Sequence, residues 1–139
     1  MKNIILIFAL FAAQFGIAQT VTTTANKTNP EKIIYSDGNS NNYIITTDSI
    51  DYIPVKTQES SSGNYNGGVR KKIYISPSTF TQILKEVENL YANISIQTKT
   101  REKTSGALTA ITNNKRNPVI IKQSPEQEKF EKLLNDLIK

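Results

Sequence analysis

Two stretches of this chain open with Ser-Pro and then confine their large apolar side chains to one helical face. Ser76-Pro77 is followed by Phe80, Ile83, Leu84, Val87, Leu90, Tyr91 and Ile94, and Ser124-Pro125 by Phe130, Leu133, Leu134, Leu137 and Ile138. Recurrence at i, i+3, i+4 and i+7 predicts amphipathic helices over Pro77–Asn93 and Pro125–Ile138. Serine at the N-cap and proline at the first helical position fix where each begins. Ser124-Pro125-Glu126-Gln127 further predicts a capping box, the Gln127 amide reaching back to the cap. A helix with one apolar stripe must bury it against a second layer, and the rest of the chain supplies only β-prone segments. The expected class is therefore α+β.

Those segments are short. Lys32–Tyr35 and Tyr43–Thr46 flank a stretch containing Asp37-Gly38, which predicts a loose hairpin. Asp51–Thr57 is extended but contains Pro54, which lacks a ladder donor and points to an edge strand or a bulge. In Val69–Ser76, alternation puts Val69, Lys71, Ile73 and Ile75 on one face and Arg70, Lys72 and Tyr74 on the other. Gln97–Ser105 reads as a basic connector, and Gly106–Thr112 and Pro118–Gln123 as two more strands. The expectation is a four- to six-stranded, mainly antiparallel sheet with both helices on one face, the other face being solvated or covering a partner. Asp51–Tyr91 and Gly106–Lys139 share the order strand, strand, Ser-Pro, helix. Phe80, Ile83, Leu84 and Val87 match Phe130, Leu133, Leu134 and Leu137 at a constant offset, which suggests a ββα repeat.

The start of the chain reads as an address. Lys2 precedes the unbroken apolar run Ile4–Ala13, and Gly16 and Ala18 place small residues at the −3 and −1 positions. This predicts a signal peptide over 1–18, cleaved after Ala18, and a secreted or periplasmic protein. The run is too short for a membrane span, so no transmembrane segment is expected after cleavage. A flexible lead, 19–31, then precedes a single domain over 32–139. The apolar share, 37% in the whole chain, falls to about 31% without the leader, low for a globular domain. There is neither Cys nor His, which removes disulfides, thiol and imidazole nucleophiles, the usual zinc and haem ligands and any lipid-carrying cysteine. No cofactor is expected.

Three groups of residues merit attention as sites. Gln58–Gly68 is rich in Ser, Gly and Asn around one tyrosine. Ser61, Ser62, Asn64 and Tyr65 are candidate contact residues, since glycines permit close approach and tyrosine is favoured at binding hot spots. Basic residues gather at Arg70-Lys71-Lys72, at Lys99–Lys103 and at Lys115-Arg116, and the last two, on connecting loops, are expected to converge on one end of the sheet. With a net charge of +5, such an edge would suit anionic lipid, polysaccharide or an acidic protein. Nucleic acid is not expected as a partner, because only Tyr65 and Tyr74 lie among the cations. Asp48 and Asp51 are the one carboxylate pair placed to converge, and an Asx-type turn explains them equally well. Glu86 and Glu88, two apart on a helix, face different ways.

From Glu59 to Ser76, a Ser/Gly/Tyr loop before a basic strand and an amphipathic helix, the chain resembles small secreted bacterial proteins of unassigned function. Its two-layer layout is similar to that of β-lactamase-inhibitor-like domains. A shared layout does not carry a function, and no site residue is transferred from it. The missing catalytic signatures, together with the Gly/Ser/Tyr loop on a small scaffold, set the expected function: an exported, non-enzymatic binding protein that inhibits or neutralises another envelope or secreted protein. The alternative is a cell-surface protein holding anionic lipid or polysaccharide through Arg70, Lys71, Lys72, Arg101, Lys103, Lys115 and Arg116.

Overall fold

The computed structural model describes residues 28–139. The expected signal peptide, and all of the lead before Thr28, lie outside the described residues. The fold is α+β, with strands β1 (Lys32–Ser36), β2 (Asn42–Thr46), β3 (Ser49–Ile53), β4 (Lys71–Tyr74), β5 (Gln97–Thr98), β6 (Gly106–Thr112) and β7 (Lys115–Ile121), and helices α1 (Pro77–Ala92) and α2 (Pro125–Leu137). The strands form one sheet in the order β4-β3-β2-β1-β6-β7-β5, and every neighbouring pair is antiparallel. No helix among the described residues is long and apolar enough to cross a membrane.

The sheet has seven strands, more than the four to six expected. The extra one, β5, lies inside the stretch read as a connector, where Gln97 and Thr98 pair with Ile121 and Ile120. Two polar residues carry no alternation, and the pairing comes from the apolar strand beside them. Pro54 also sits differently from expectation. β3 is interior, flanked by β2 and β4, and Pro54 follows its last residue, Ile53, so the missing donor falls outside the ladder.

Alternation places Ile33, Tyr35, Tyr43, Ile45, Ile50, Tyr52, Leu108 and Ile121 toward the helices, where they are buried against Phe80, Ile83, Val87, Leu90, Phe130 and Leu134. The Ser76 and Ser124 hydroxyls accept from the backbone amides of Thr79 and Gln127, as the N-cap reading requires. The reciprocal half of the capping box is absent. Gln127 turns inward instead, and its Nε2 donates to the Thr104 carbonyl (3.1 Å) and the Glu131 carboxylate (3.0 Å). Burial decides this: Gln127 is buried at the sheet–helix boundary, where its Nε2 finds these acceptors in place of water.

The helices run antiparallel across the same face, tied by Lys129 to Glu86 and by Asn93 to Glu126. The unit β3–β4–α1 and the unit β6–β7–α2 occupy opposite halves of the sheet. A half-turn about the sheet normal, between β1 and β2, maps one onto the other, strand directions included. This arrangement leaves one face of the sheet without a helix.

Candidate protein-binding surface

The β3–β4 connection is anchored by a side-chain hub that sequence reading missed. Asn41 is buried, and its Nδ2 donates to Asp37 (2.8 Å) and to the Tyr65 hydroxyl (2.9 Å), while its Oδ1 accepts from the Val55 amide (3.1 Å). The Tyr52 hydroxyl donates to the Gly67 carbonyl (2.6 Å), and the Gly67 amide donates to the Val55 carbonyl (3.0 Å). Gly67 must be glycine here. A Cβ would lie 2.1 Å from Asn41 Oδ1 and 2.8 Å from Pro54 Cβ. The candidate Tyr65 is therefore half-buried and faces the hub, whereas Ser61, Ser62 and Asn64 are exposed. Nothing in the composition of Gln58–Gly68 announces a tether to Asn41, 24 positions from Tyr65, and only the hairpin turn that buries Asp37 and Asn41 explains it.

The adjoining basic triplet divides between the two faces. Arg70 is exposed and holds Asp51 with two hydrogen bonds, Nε to Oδ1 at 3.0 Å and Nη2 to Oδ2 at 2.5 Å. The pairing pushes the Asp51 carboxyl below the usual carboxylate range and the guanidinium up. Lys71 lies on the helix side, opposite Tyr52, and its Nζ donates to the Ile138 carbonyl at the C-terminus of α2 (2.9 Å). A lysine there satisfies a carbonyl left without an intrahelical partner and complements the negative end of the helix dipole. Lys72 returns to the helix-free side, its ammonium 6.0 Å from the ring centroid of Tyr74.

Among the described residues, the exposed large apolar side chains are Val69 (77%), Tyr74 (80%) and Ile94 (78%). Two of the three flank β4. The alternation of Arg70, Lys72 and Tyr74 had placed that tyrosine on the outer face, and this signal was available to find it.

Register defines the rest of that face. One row across the sheet runs Lys72, Asp51, Ile44, Ile34, Thr109, Pro118, and the next runs Ile53, Asn42, Ser36, Ala107, Ile120, Thr98. Ile34, Ile44, Ile53, Ile111 and Ile120 are all half-buried there without a helix above them. Beside β5 the face dips into a trough of about 600 Å³ lined by Ile94, Thr98, Lys99, Ala107, Pro118 and Ile120.

The other basic groups do not meet as expected. β6 pairs with β7 from Gly106↔Ile121 to Thr112↔Lys115. Lys99–Lys103 therefore sits at one end of these strands and Lys115-Arg116 at the other, roughly 20 Å apart at about 3.4 Å per residue. The physical reason is the two-residue turn Asn113-Asn114, with φ of 49° and 61°, which places Lys115 directly opposite Thr112. Arg101 is exposed but engaged, donating to Ser36 Oγ and the Asp37 carbonyl, both at 3.0 Å. Lys103 beside it is exposed.

The two aspartates do not converge on a site either. Asp48 accepts from the Thr46 and Ser49 hydroxyls, which hold its carboxyl below the usual range, while Asp51 is held by Arg70. No protein-family model, curated protein or solved structure matches this chain. What this surface offers must be read from its own geometry: an anchored loop, an edge strand with two exposed apolar side chains, and cations on one side of it.

Proposed function

We propose that the chain is an exported, non-enzymatic binding protein that engages another envelope or secreted protein and inhibits or neutralises it. The observation that carries this reading is the exposure of Tyr74 beside Arg70 and Lys72 on the outer face of β4, next to a loop already held in shape. Tyrosine and arginine are the residue types enriched at binding hot spots. A tethered loop loses little freedom when a partner arrives, so Ser61, Ser62 and Asn64 present polar groups at low entropic cost. Tyr65 supports that frame from beneath through the bond its hydroxyl accepts from Asn41.

Capture from envelope and culture fluid, at low and moderate salt, tests the reading when it is paired with Tyr74→Ala. A stoichiometric protein that survives moderate salt and binds Tyr74→Ala more weakly by over about 1 kcal/mol is the expected result. Lipid or polysaccharide retained only at low salt would replace it with the anionic-surface reading, since exposed charge contacts are screened by salt.

A further inference from the structure

The two edges of the sheet are not equivalent. On the β7 side, the two-residue turn makes Thr112–Lys115 a hydrogen-bonded pair, so Asn117, Val119 and Ile121 turn their backbone groups toward β6. Pro118 then faces the open side, where it presents no donor, and the two-residue β5 covers Ile120, which leaves Arg116 as the open position. That edge is blunted in the manner of protected sheet edges.

The β4 edge is short and carries cations, which resist self-pairing, but among the described residues neither a proline nor a further strand covers it. The Ile75 amide donates to the Asp48 carbonyl (2.9 Å), which sets the parity of the strand. Ile73 and Lys71 turn their backbone groups toward β3, and Arg70, Lys72 and Tyr74 turn theirs outward. This outward row ends in the exposed Tyr74 and carries two cations on the helix-free side, Lys72 and the Arg70 that holds Asp51.

We infer that the free edge of β4 is a strand-addition site for an extended, acidic segment of a partner protein, which joins the sheet antiparallel as an eighth strand. The inference rests on the protein-binding reading above and deepens it. Backbone groups supply the affinity of such an addition, and side chains at alternate positions supply its specificity. The register dictates the pattern. A residue opposite Lys72 is acidic, the residue two before it lies opposite Tyr74 and is β-branched or aromatic, and the residue two after it lies opposite Arg70 and is acidic. Charge favours such a partner over a second copy. Self-pairing of β4 in its fully overlapping register sets Lys72 against Lys72, a repulsive pair, and a shift toward Arg70 sets Arg70 against Lys72.

The test uses a blocked peptide, Thr-Thr-Val-Thr-Glu-Thr-Glu-Thr-Thr, and its twin with lysine for both glutamates, each titrated into the isotopically labelled protein with amide exchange read residue by residue. The acidic peptide should slow exchange at Lys72 and Tyr74 and leave Ile73, already bonded to β3, unchanged. It should bind about tenfold more tightly than the lysine twin, and Lys72→Glu should narrow or invert that preference. Equal binding of the twins, protection elsewhere, or no protection at all overturns the inference, as does a dimer through β4 seen by sedimentation. Lys72→Pro removes the outward donor together with the ammonium, while the ladder bonds of Lys71 and Ile73 to β3 keep their partners, and Lys72→Glu serves if that variant does not fold. A captured partner that is weakened by Tyr74→Ala but held undiminished by both Lys72 variants would leave the binding reading standing and strand addition refuted. Peptide addition at β4 with no partner captured would do the reverse.

Discussion

The Tyr35 hydroxyl donates a 2.6 Å hydrogen bond to the Glu131 carboxylate, joining β1 to α2 across 96 positions of sequence. Tyr35 is fully buried, its ring packs edge-on against Phe130 at 5.0 Å, and its hydroxyl also accepts from Gln127. Gly106 makes room for it, since a Cβ there would stand 2.2 Å from the Tyr35 oxygen. Tyr35→Phe keeps the ring and removes the shorter of the two hydrogen bonds to the Glu131 carboxylate, leaving it only the Gln127 amide. A hydrogen bond to a charged group contributes about 1.5–3 kcal/mol, so the urea midpoint should fall by the corresponding amount with the slope unchanged. An unchanged midpoint would mean that Glu131 finds water instead.

The same burial predicts unfolding by alkali. Burial first, and then Glu131, pushes the Tyr35 hydroxyl far above the phenol range, and burial raises Tyr43 likewise. Both groups are protonated in either state below pH 10, so stability is insensitive to pH there on their account. Above pH 10 the unfolded chain releases protons that the folded chain keeps, and stability falls. For each such tyrosine the slope is about 1.4 kcal/mol per pH unit. Urea titrations between pH 9 and 11 should show the fall, and Tyr35→Phe should reduce its slope. A flat profile would show that these hydroxyls titrate within the fold.

Asn41 should be among the most sensitive polar positions in the molecule. Asn41→Ala leaves the buried Val55 amide without an acceptor and releases both Asp37 and Tyr65. An unsatisfied buried group costs about 1–3 kcal/mol. Limited proteolysis should then cut within Gln58–Gly68 far faster than in the parent. Tyr65→Phe, which removes a single bond, should do so to a smaller degree. Equal cleavage of parent and Asn41→Ala would show the loop to be independent of its anchor.

Local signals carried the helices and the inward faces of the strands, because Ser-Pro caps and apolar stripes are written in consecutive residues. Phe80, Ile83, Leu84 and Val87 are buried as their spacing requires, and Ser76 and Ser124 cap as read. What stayed hidden depends on positions that meet only in the fold. β5 exists because β7 lies beside it. Gln127 leaves its capping box because Thr104 and Glu131 are within reach. Lys71 serves the end of α2, 67 positions away. At the candidate surface, the Ser/Gly/Asn composition of the loop and the outward side of Tyr74 were legible, but not that Tyr65 faces inward. That follows from Asn41, whose burial no local pattern reveals.

Tyr91 gives the sharpest test of a long-range polar contact. Carried on α1, its hydroxyl accepts from the Ala110 amide (2.9 Å) and donates to the Asn117 carbonyl (2.6 Å), so it bridges two residues directly opposite each other in β6 and β7. Burial raises its pKa, although the Ala110 bond works in the other direction. Tyr91→Phe removes the bridge and keeps the apolar contact with the core. Two backbone groups then lose a partner, and the expected loss is about 1–2 kcal/mol. The effect should be local as well as global, with the Ala110 amide exchanging faster in Tyr91→Phe than in the parent, while amides of β1 and β2 change only with overall stability. Tyr74→Phe, on an exposed ring outside the core, serves as the control and should leave stability within about 0.5 kcal/mol. If Ala110 stays protected in Tyr91→Phe, β6 and β7 close directly on each other and the hydroxyl is an accessory to the hairpin rather than a strut between helix and sheet.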